Sequence, residues 1–265
     1  MKIAVYDTNL TDAQWELIQP MLPARKPRGR PPTDRRVILD AILYVVKTGV
    51  HWRSLPSDFP PHQTVFHIFR QWAKDNVWEA INARLRGLVR KEDGRDCRPT
   101  AAILDSQSVK SDPHGGEVGY DAAKKIKGRK RHLLVDTLGL VLAVFITPAS
   151  TTERDGAKGL LEKALTCFTW LRMLWVDGGY SGKEFAEWVR SMSRKLKVEV
   201  VKRSDDTSGF KVLPRRWVVE RTFGWLMRQR RLVRDYEATE GSAAAWVYVA
   251  MIRIQVRRLA KHGGF

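Results

Sequence analysis

The hydrophobic pattern changes its period near residue 99, and this change limits the fold more than any other feature. Before it, apolar residues recur at helical spacing, as in Ile38, Ala41 and Ile42. Beyond it, short continuous apolar runs alternate with helical patterns, which is typical of an α/β protein with a mixed sheet. A charged segment containing glycine and proline separates the two. We therefore predict a helical domain over residues 1–92, a linker over 93–99 and an α/β domain over 100–265.

The helical domain is predicted to contain four helices. Thr11 caps the first, Thr33 or Asp34 caps the second, and the third begins at Thr64. The fourth runs from about residue 76 to residue 89. The third helix exposes polar residues such as Arg70, which would suit the second helix of a helix-turn-helix. An ordinary small helical bundle fits the same pattern, so both interpretations stay open.

The second domain is predicted to contain a mixed sheet with helices on both faces. Its apolar runs include two that are separated by Asp136-Thr137-Leu138-Gly139, a pattern that indicates a hairpin. In chain order the predicted elements are strands 101–104, 132–135 and 140–147, helix 155–168, strand 173–176, helix 182–193, strand 198–201, and helices 214–234 and 242–261.

The charge of the chain indicates a polyanionic partner. Lys and Arg number 47 against 29 Asp and Glu, which gives a formal net charge of +18. Nucleic acid is the first candidate for such a chain. Two cysteines without a neighbouring Cys or His pair give neither a disulfide framework nor a zinc site. The N-terminal residues are too polar for a signal peptide, and the longest apolar run, 140–146, is too short to span a bilayer. We expect a soluble, cytoplasmic protein.

Two aspartates follow apolar runs of the predicted sheet. Asp105 ends the run 101–104, and Asp177 ends the run 173–176. Ligands bind at the carboxyl ends of strands in open α/β sheets, so the two side chains would converge on one metal if their strands are neighbours. The alternative is that each aspartate only begins a turn, which Gly178 and Gly179 make reasonable for Asp177.

Glu220 lies within a stripe of arginines on the predicted helix 214–234. On a helical wheel Arg216, Arg231 and Arg234 lie within about 40° of Glu220. The alternative is a set of surface ion pairs. One carboxylate cannot balance so many guanidinium groups, so the stripe favours phosphate binding. Mg²⁺ prefers a few carboxylates together with phosphate oxygens and water.

Three ordered motifs resemble the DDE transposases of bacterial insertion sequences, and most closely the lineage named after insertion sequence five. They are Ile103-Leu104-Asp105-Ser106-Gln107-Ser108-Val109-Lys110, Val176-Asp177-Gly178-Gly179-Tyr180 and Trp217-Val218-Val219-Glu220-Arg221-Thr222-Phe223-Gly224-Trp225-Leu226. The resemblance covers nearly the whole chain. The wider family often has a Tyr and a Lys on either side of the Glu, where this chain has Leu213 and Met227.

The resemblance implies a ribonuclease-H-like catalytic domain preceded by a small all-α DNA-binding domain of the helix-turn-helix type. Asp105, Asp177 and Glu220 would be the catalytic residues and would hold two Mg²⁺ ions, for which Mn²⁺ would substitute. The enzyme would bind the terminal inverted repeats of its insertion sequence, cleave at the ends and join the 3′-hydroxyls to target DNA. A homodimer or larger assembly on double-stranded DNA, associated with the bacterial nucleoid, is implied as well. A domesticated DNA-binding regulator and a nuclease with the same core are the alternatives.

Basic residues in several parts of the chain are predicted to contact DNA. A basic run leads into the second predicted strand, and Arg28-Gly29-Arg30-Pro31 resembles an AT-hook, although an interhelical linker fits that segment equally well. The predicted DNA contacts are Arg28, Arg30, Arg70, Lys110, Lys127, Arg129, Lys130, Arg131, Arg216, Arg221, Arg228 and Arg231.

Overall fold

A computed structural model describes residues 6–24, 33–112, 116–201 and 217–262 of the chain. In chain order its helices and strands are α1 Asp12–Ile18, α2 Arg35–Thr48, α3 His62–Lys74, α4 Val77–Glu92, β1 Ala101–Lys110, β2 Gly119–Asp121, β3 Ile126–Asp136, β4 Val141–Pro148, α5 Glu153–Cys167, β5 Met173–Val176, α6 Lys183–Met192, β6 Lys197–Val200, α7 Trp217–Met227, α8 Arg230–Val233 and α9 Glu240–His262.

The chain divides into two compact units. The helical unit comprises residues 1–95, 226–234 and 241–265, and the sheet unit comprises residues 96–225 and 235–240. The division near residue 95 lies close to the predicted linker. The structure differs from the predicted boundaries at the other end, because two segments of the predicted second domain pack in the helical unit.

The first two helices of the helical unit begin at polar caps. The Thr11 side chain accepts a hydrogen bond from the Gln14 amide, and the Gln14 side chain accepts one from the Thr11 amide. Asp34, rather than Thr33, caps α2 by accepting from the Arg36 amide. Gly49 ends α2 with a φ of 72°, a left-handed conformation that glycine adopts without strain.

The core of the helical unit is aromatic. The rings of Phe69, from α3, and Trp246, from α9, stack with centroids 4.3 Å apart. The ring centroid of Trp52 lies 5.5 Å from that of Trp246, and the ring centroid of Trp78 of α4 lies 6.0 Å from that of Phe69. Since Trp246 is 1% exposed, α9 is part of this core.

The sheet unit confirms the α/β prediction and has the strand order of a ribonuclease-H-like fold. β1 pairs antiparallel with β3, and β3 pairs antiparallel with β4. On the other side β1 pairs parallel with β5, and β5 pairs parallel with β6. The short strand β2, which the sequence pattern did not predict, pairs with the start of β3. α5 packs on β4 and β3, and α6 packs on β6.

The turn between β3 and β4 forms as predicted. One carboxylate oxygen of Asp136 accepts hydrogen bonds from the amides of Leu138 and Leu140 at 2.9 and 2.8 Å. Gly139 has a φ of 79°. The side chain of Asp136 therefore stabilises the turn, and glycine supplies the left-handed conformation that the turn requires.

Three predictions about element boundaries were wrong. β3 begins at Ile126, six residues before the predicted strand 132–135. β1 does not end before Asp105 but continues to Lys110, because the residues from Asp105 to Lys110 pair with β3 although several of them are polar. The predicted helix 214–234 is broken after Met227, where Gln229 has extended backbone angles of φ −98° and ψ 109°. Its residues 214–216 lie outside the described residues.

Candidate active site of the sheet unit

Asp105 and Asp177 lie on neighbouring parallel strands. Ala101 pairs with Met173 and Ile103 with Trp175. Asp105 and Asp177 each lie two residues beyond the last of these pairs, Ile103 with Trp175, and Asp177 directly follows β5. Both aspartates are partly buried. The sequence predicted a shared metal site only if the two strands are neighbours, and the structure meets this condition.

A third carboxylate, that of Glu153, lies in the same region. A β-carbon at Gly179 would be 2.7 Å from Oε2 of Glu153 and 3.1 Å from Oδ1 of Asp177, so these oxygens approach the same glycine. Burial and the charges of Asp105, Glu153 and Asp177 raise the pKa of Tyr180 well above its usual value. The charges of these three carboxylates therefore act on one buried tyrosine hydroxyl.

Tyr180 is 1% exposed, and its hydroxyl makes no hydrogen bond of ordinary geometry with any described residue. Ser106 lies near enough to lower the pKa of Tyr180, against the larger effect of burial and charge. A buried hydroxyl normally has a partner. The side chain of Ser106 is the hydrogen-bond partner that acts on the pKa of this hydroxyl.

The tip of the hairpin between β2 and β3 brings a cation to these acids. Nζ of Lys124 lies 3.1 Å from Oε1 of Glu153, and Oγ of Ser106 donates to the same oxygen at 3.2 Å. The backbone amide of Lys124 donates to Asp121, and Lys125 has a φ of 53°. The hairpin tip is thus held in a tight turn that directs Lys124 toward Glu153.

Asp177 also begins a turn. Its Oδ1 accepts a hydrogen bond from the Gly179 amide at 2.9 Å, and a short 3₁₀ helix of residues 178–180 follows. Asp177 therefore begins a turn, as the alternative interpretation of the sequence predicted. This turn does not conflict with a role in cation binding, because a carboxylate has a second oxygen and further lone pairs.

Glu220 is exposed on α7. This helix is attached to the β3–β4 turn, since Thr222 donates to the carbonyl of Gly139 at 2.8 Å and Arg221 to that of Leu138 at 3.0 Å. Within the part of the chain that the structure describes, no three His, Cys, Asp or Glu side chains are grouped closely enough to hold one metal ion. The assignment of Glu220 as the third ligand stays a prediction.

Three of the predicted DNA contacts are buried in β3, where DNA cannot reach them. Arg129 is 2% exposed, and its Nη1 lies 3.4 Å from Oδ2 of Asp235. Lys130 donates to the carbonyl of Thr151 at 2.7 Å. Burial lowers the pKa of Arg131 to about 10. Arg129, Lys130 and Arg131 therefore lie in a buried strand of the sheet and not in an exposed basic segment.

The other predicted contacts divide by exposure. Arg70, Lys110, Lys127 and Arg228 are exposed. Arg221 packs against the rings of Trp217 and Trp225. The break after α7 removes Arg231 from the predicted stripe, and this side chain is buried with its guanidinium 5.6 Å from the Trp246 ring. Arg28, Arg30 and Arg216 lie outside the described residues.

Sequence reasoning missed Glu153 and Tyr180 as members of the site. The available signal for Tyr180 was its position three residues after Asp177. Glu153 was hidden because an acid in the first turn of a helix is ordinary. Thr152 caps that helix by accepting a hydrogen bond from the amide of Asp155.

In the helical unit, α3 presents a polar face opposite its apolar one. Val65, Phe69 and Trp72 are buried. The opposite face is exposed and consists of polar and basic residues, namely Gln63, His67, Arg70, Gln71 and Lys74. This arrangement is compatible with a helix that contacts DNA. No helix among the described residues has the length and apolar character needed to cross a bilayer.

Comparison with known proteins identifies relatives that match less than half of the chain. The chain is 34% identical over 117 residues to the "Insertion element IS402 uncharacterized 16.2 kDa protein" of Burkholderia cepacia, a match that covers 42% of this chain and 78% of that protein. It is 28% identical over 120 residues to "Uncharacterized protein y4sN" of Sinorhizobium fredii (strain NBRC 101917 / NGR234), covering 45% of this chain and 86% of that protein.

Solved structures show only a weak likeness. The mariner Mos1 paired end complex with Mg has 11% identity and a TM-score of 0.29, with coverage of 91% of this chain and 83% of that chain. The Mos1 strand transfer complex has a TM-score of 0.28 at the same identity, with coverage of 91% and 82%. Scores of this size are too low to assign a fold or a function.

The family models cover most of the chain. The model for transposases of the IS4/5 family matches residues 10–82. The model described as "Transposase DDE domain" matches residues 96–254, more than half of the chain. The chain therefore belongs to the DDE transposases of bacterial insertion sequences.

Proposed function

We propose that this protein binds the terminal inverted repeats of its own insertion sequence, cleaves DNA at the ends and joins the 3′-hydroxyls to target DNA. The observation that supports the proposal is the parallel pairing of β1 with β5, in which Asp105 and Asp177 each follow the last paired residue, Ile103 or Trp175, by two positions. In a member of the DDE transposase family, two carboxylates held together by the central strands of the sheet are the natural centre for phosphodiester chemistry.

The donor set fits a divalent cation. Mg²⁺ is usually bound through one or two carboxylates and completes its coordination with water and phosphate oxygens, so Asp105 and Asp177 are a sufficient protein contribution. Glu220 would add a third carboxylate from α7. When bound, a pair of Mg²⁺ or Mn²⁺ ions would activate the attacking oxygen and stabilise the leaving oxygen of an in-line displacement.

The remaining residues of the sheet unit would hold the DNA backbone. Lys110 and Lys127 are exposed and lie on adjoining strands, since Lys110 pairs with the residue next to Lys127. Lysine binds phosphate as a point charge and places no demand on base sequence. These lysines would therefore orient a phosphodiester bond without selecting among DNA sequences.

Recognition of the ends would belong to the helical unit. The exposed face of α3, with His67, Arg70 and Gln71, has the length and polarity of a helix that reads the major groove. Two ends of an element must be joined in one event, so the functional form is proposed to be a homodimer or larger assembly on DNA. The site of action is the bacterial nucleoid in the cytoplasm.

The test is an assay for end cleavage and strand transfer with the full chain, Mg²⁺ and linear DNA carrying the ends of the element. Asp105→Asn and Asp177→Asn should each lower cleavage by about 10³-fold, because several kcal/mol of transition-state stabilisation are lost. Both should bind end DNA as the wild type does. Glu162→Gln, an exposed acid on α5, is the matched control and should cut normally.

Glu220→Gln tests the third ligand in the same assay and should resemble the two aspartate variants. Cleavage without joined products would identify a nuclease. A wild-type protein that binds the ends but cuts with neither Mg²⁺ nor Mn²⁺ would be a DNA-binding regulator, and the proposal of an active enzyme would be wrong.

A further inference from the structure

The turn that follows Asp177 is rich in glycine. Its residues Gly178-Gly179-Tyr180-Ser181-Gly182 connect β5 to α6, and Gly182 has a φ of 129°. Glycine loses more backbone freedom on folding than any other residue, so such a turn keeps one conformation only where other groups hold it. The buried side chain of Tyr180 fixes the middle of the turn. The polar contacts of the turn fix its backbone on either side.

Arg154 of α5 holds this turn at two backbone carbonyls. Its Nε donates a hydrogen bond to the carbonyl of Gly179 at 3.1 Å, and its Nη2 donates one to the carbonyl of Ser181 at 2.6 Å. The donors of a guanidinium group are arranged in a rigid planar fork. One side chain of α5 therefore sets the positions of two carbonyls of the turn relative to each other.

Gly179 connects Arg154 with Asp177. The carbonyl of Gly179 accepts the hydrogen bond from Arg154, and the amide of the same residue donates to Oδ1 of Asp177 at 2.9 Å. The amide of Tyr180 also donates to the backbone carbonyl of Asp177, at 3.2 Å. The orientation of the Asp177 carboxylate thus depends on a glycine whose own orientation depends on Arg154.

We propose that Arg154 is a positioning residue for Asp177. It fixes the turn 178–181, so that the Gly179 amide holds the carboxylate of Asp177 in the orientation that catalysis requires. This inference rests on the proposed function for the catalytic role of Asp177. Hydrogen-bonding groups behind a ligating carboxylate commonly change metal affinity or activity about 10- to 100-fold when they are removed. Arg154 acts through the turn and not on the DNA.

The experiment measures single-turnover cleavage of end DNA by the full chain, together with the affinity for the same DNA at several salt concentrations. Arg154→Ala should lower the cleavage rate about 10- to 100-fold, because the turn loses both hydrogen bonds to α5. Its affinity for end DNA, and the slope of log affinity against log salt, should equal those of the wild type, because no phosphate contact is lost.

Two conservative variants separate hydrogen bonding from charge. Arg154→Gln keeps an amide donor for one carbonyl and has no charge, whereas Arg154→Lys keeps the charge and an ammonium donor. Both should cut faster than Arg154→Ala and more slowly than the wild type, because each keeps a donor but neither has the guanidinium fork. A role in stability alone would lower the unfolding temperature of all three variants and leave the cleavage rate of the folded proteins unchanged, which would contradict the inference.

Lys158→Met is the matched control. Lys158 lies one helical turn further along α5, and its Nζ is 3.6 Å from Oε1 of Glu184 in α6. The variant removes one positive charge and one attachment between the two helices, but it leaves the bonds from Arg154 to the turn in place. Cleavage and DNA binding should match those of the wild type. A loss equal to that of Arg154→Ala would mean that any weaker attachment of α5 lowers activity, and the inference would be wrong.

The outcomes separate this inference from the proposed function. If Asp177→Asn is inactive while folded Arg154→Ala cuts at the wild-type rate, the inference is wrong and the proposed function stands. If Asp177→Asn cuts normally, the proposed function itself is wrong.

Two further outcomes concern Arg154 alone. Weaker DNA binding with a shallower salt dependence in both Arg154→Ala and Arg154→Gln would identify a phosphate contact and overturn the inference. If Arg154→Ala does not fold, Arg154→Gln decides: slower cleavage at unchanged DNA affinity supports the inference, and an unchanged cleavage rate overturns it.

Discussion

Basic residues that lie close together in the sequence have opposite environments in the two units. On α3 of the helical unit, Arg70 and Lys74 are exposed, because the other face of the helix is buried. In β3 of the sheet unit, the segment from Arg129 to Arg131 is buried, because the strand is paired on both edges and covered on both faces. A count of positive charges therefore overstates the positive surface that the chain offers to DNA.

The faces of β3 show how the buried charges are compensated. Lys130 and His132 point toward the side of the sheet that α5 covers. Lys130 donates a hydrogen bond to the carbonyl of Thr151, which precedes α5. Arg129, on the other face, donates to the carbonyl of Glu237 at 2.9 Å and pairs with the buried carboxylate of Asp235. Arg129 therefore attaches the segment 235–240 to the sheet. The sequence did not indicate this structural role, because Arg129 lies in a run of basic residues.

The largest effect is expected for Arg129→Ala. The change leaves Asp235 buried without this guanidinium, and breaking a buried pair from one side costs about 3–5 kcal/mol. We expect a decrease of that size in the free energy of unfolding, measured by urea denaturation, and unchanged binding of end DNA under folding conditions. The double variant Arg129→Ala/Asp235→Ala should recover part of the loss. Weaker DNA binding with unchanged stability would instead return Arg129 to the DNA-contacting residues.

Asp40 gives a buried charge of the opposite sign in the helical unit. Burial raises its pKa to about 6, and the opposing effects of the Leu10 amide and Arg36 do not cancel this. A carboxyl whose pKa is raised on folding stabilises the protein below its ordinary pKa of 3.8, and that stability is lost as pH rises through about 6.

Asp40→Asn should therefore stabilise the protein by about 2 kcal/mol at pH 8 and by little at pH 4, because the amide keeps an oxygen for the Leu10 N–H and carries no charge. Chemical denaturation at the two pH values measures the difference. Equal effects at both pH values would mean that Asp40 is not protonated on folding near pH 6.

The smallest effect is expected for Arg70→Ala. Because Arg70 is exposed and its guanidinium lies 5.7 Å from the centroid of the Phe66 ring, stability should hardly change. Binding of end DNA should weaken about tenfold, with a salt dependence shallower by about one charge if the contact is to phosphate. Arg84→Ala, an exposed arginine of α4, is the control. An equal loss of DNA affinity in Arg70→Ala and Arg84→Ala would mean that α3 is not a specific DNA-contacting helix.

Several features of the sheet unit were predictable from local sequence. The strand Met173–Val176 is an unbroken apolar run bounded by polar residues, and the structure has it with the predicted bounds. The turn at Asp136 and Gly139 follows from the chemistry of those two residues alone. The pairing of the strands carrying Asp105 and Asp177 was predictable as well, because it follows from the fold class that the motifs imply.

Other features depend on contacts between distant residues and gave no local signal. The polar Ser108 continues β1 because its hydroxyl donates to Asp121 on another strand. The helix ends at Met227 although residues 228–234 contain no glycine or proline that would predict a break. Glu153 joins the acidic site only through the packing of α5 on the sheet. Propensity and periodicity describe none of these three effects.

The division of the helical unit between two parts of the chain has a consequence for synthesis. Trp246, which stacks on Phe69, follows the whole sheet unit in the sequence. At about 5–20 residues per second, roughly ten to thirty seconds separate the emergence of the two parts from a ribosome. During that time the sheet unit can fold, whereas Phe69 and its aromatic neighbours still lack their contact with Trp246. The surface proposed to recognise DNA therefore matures last, after the unit proposed to cut it.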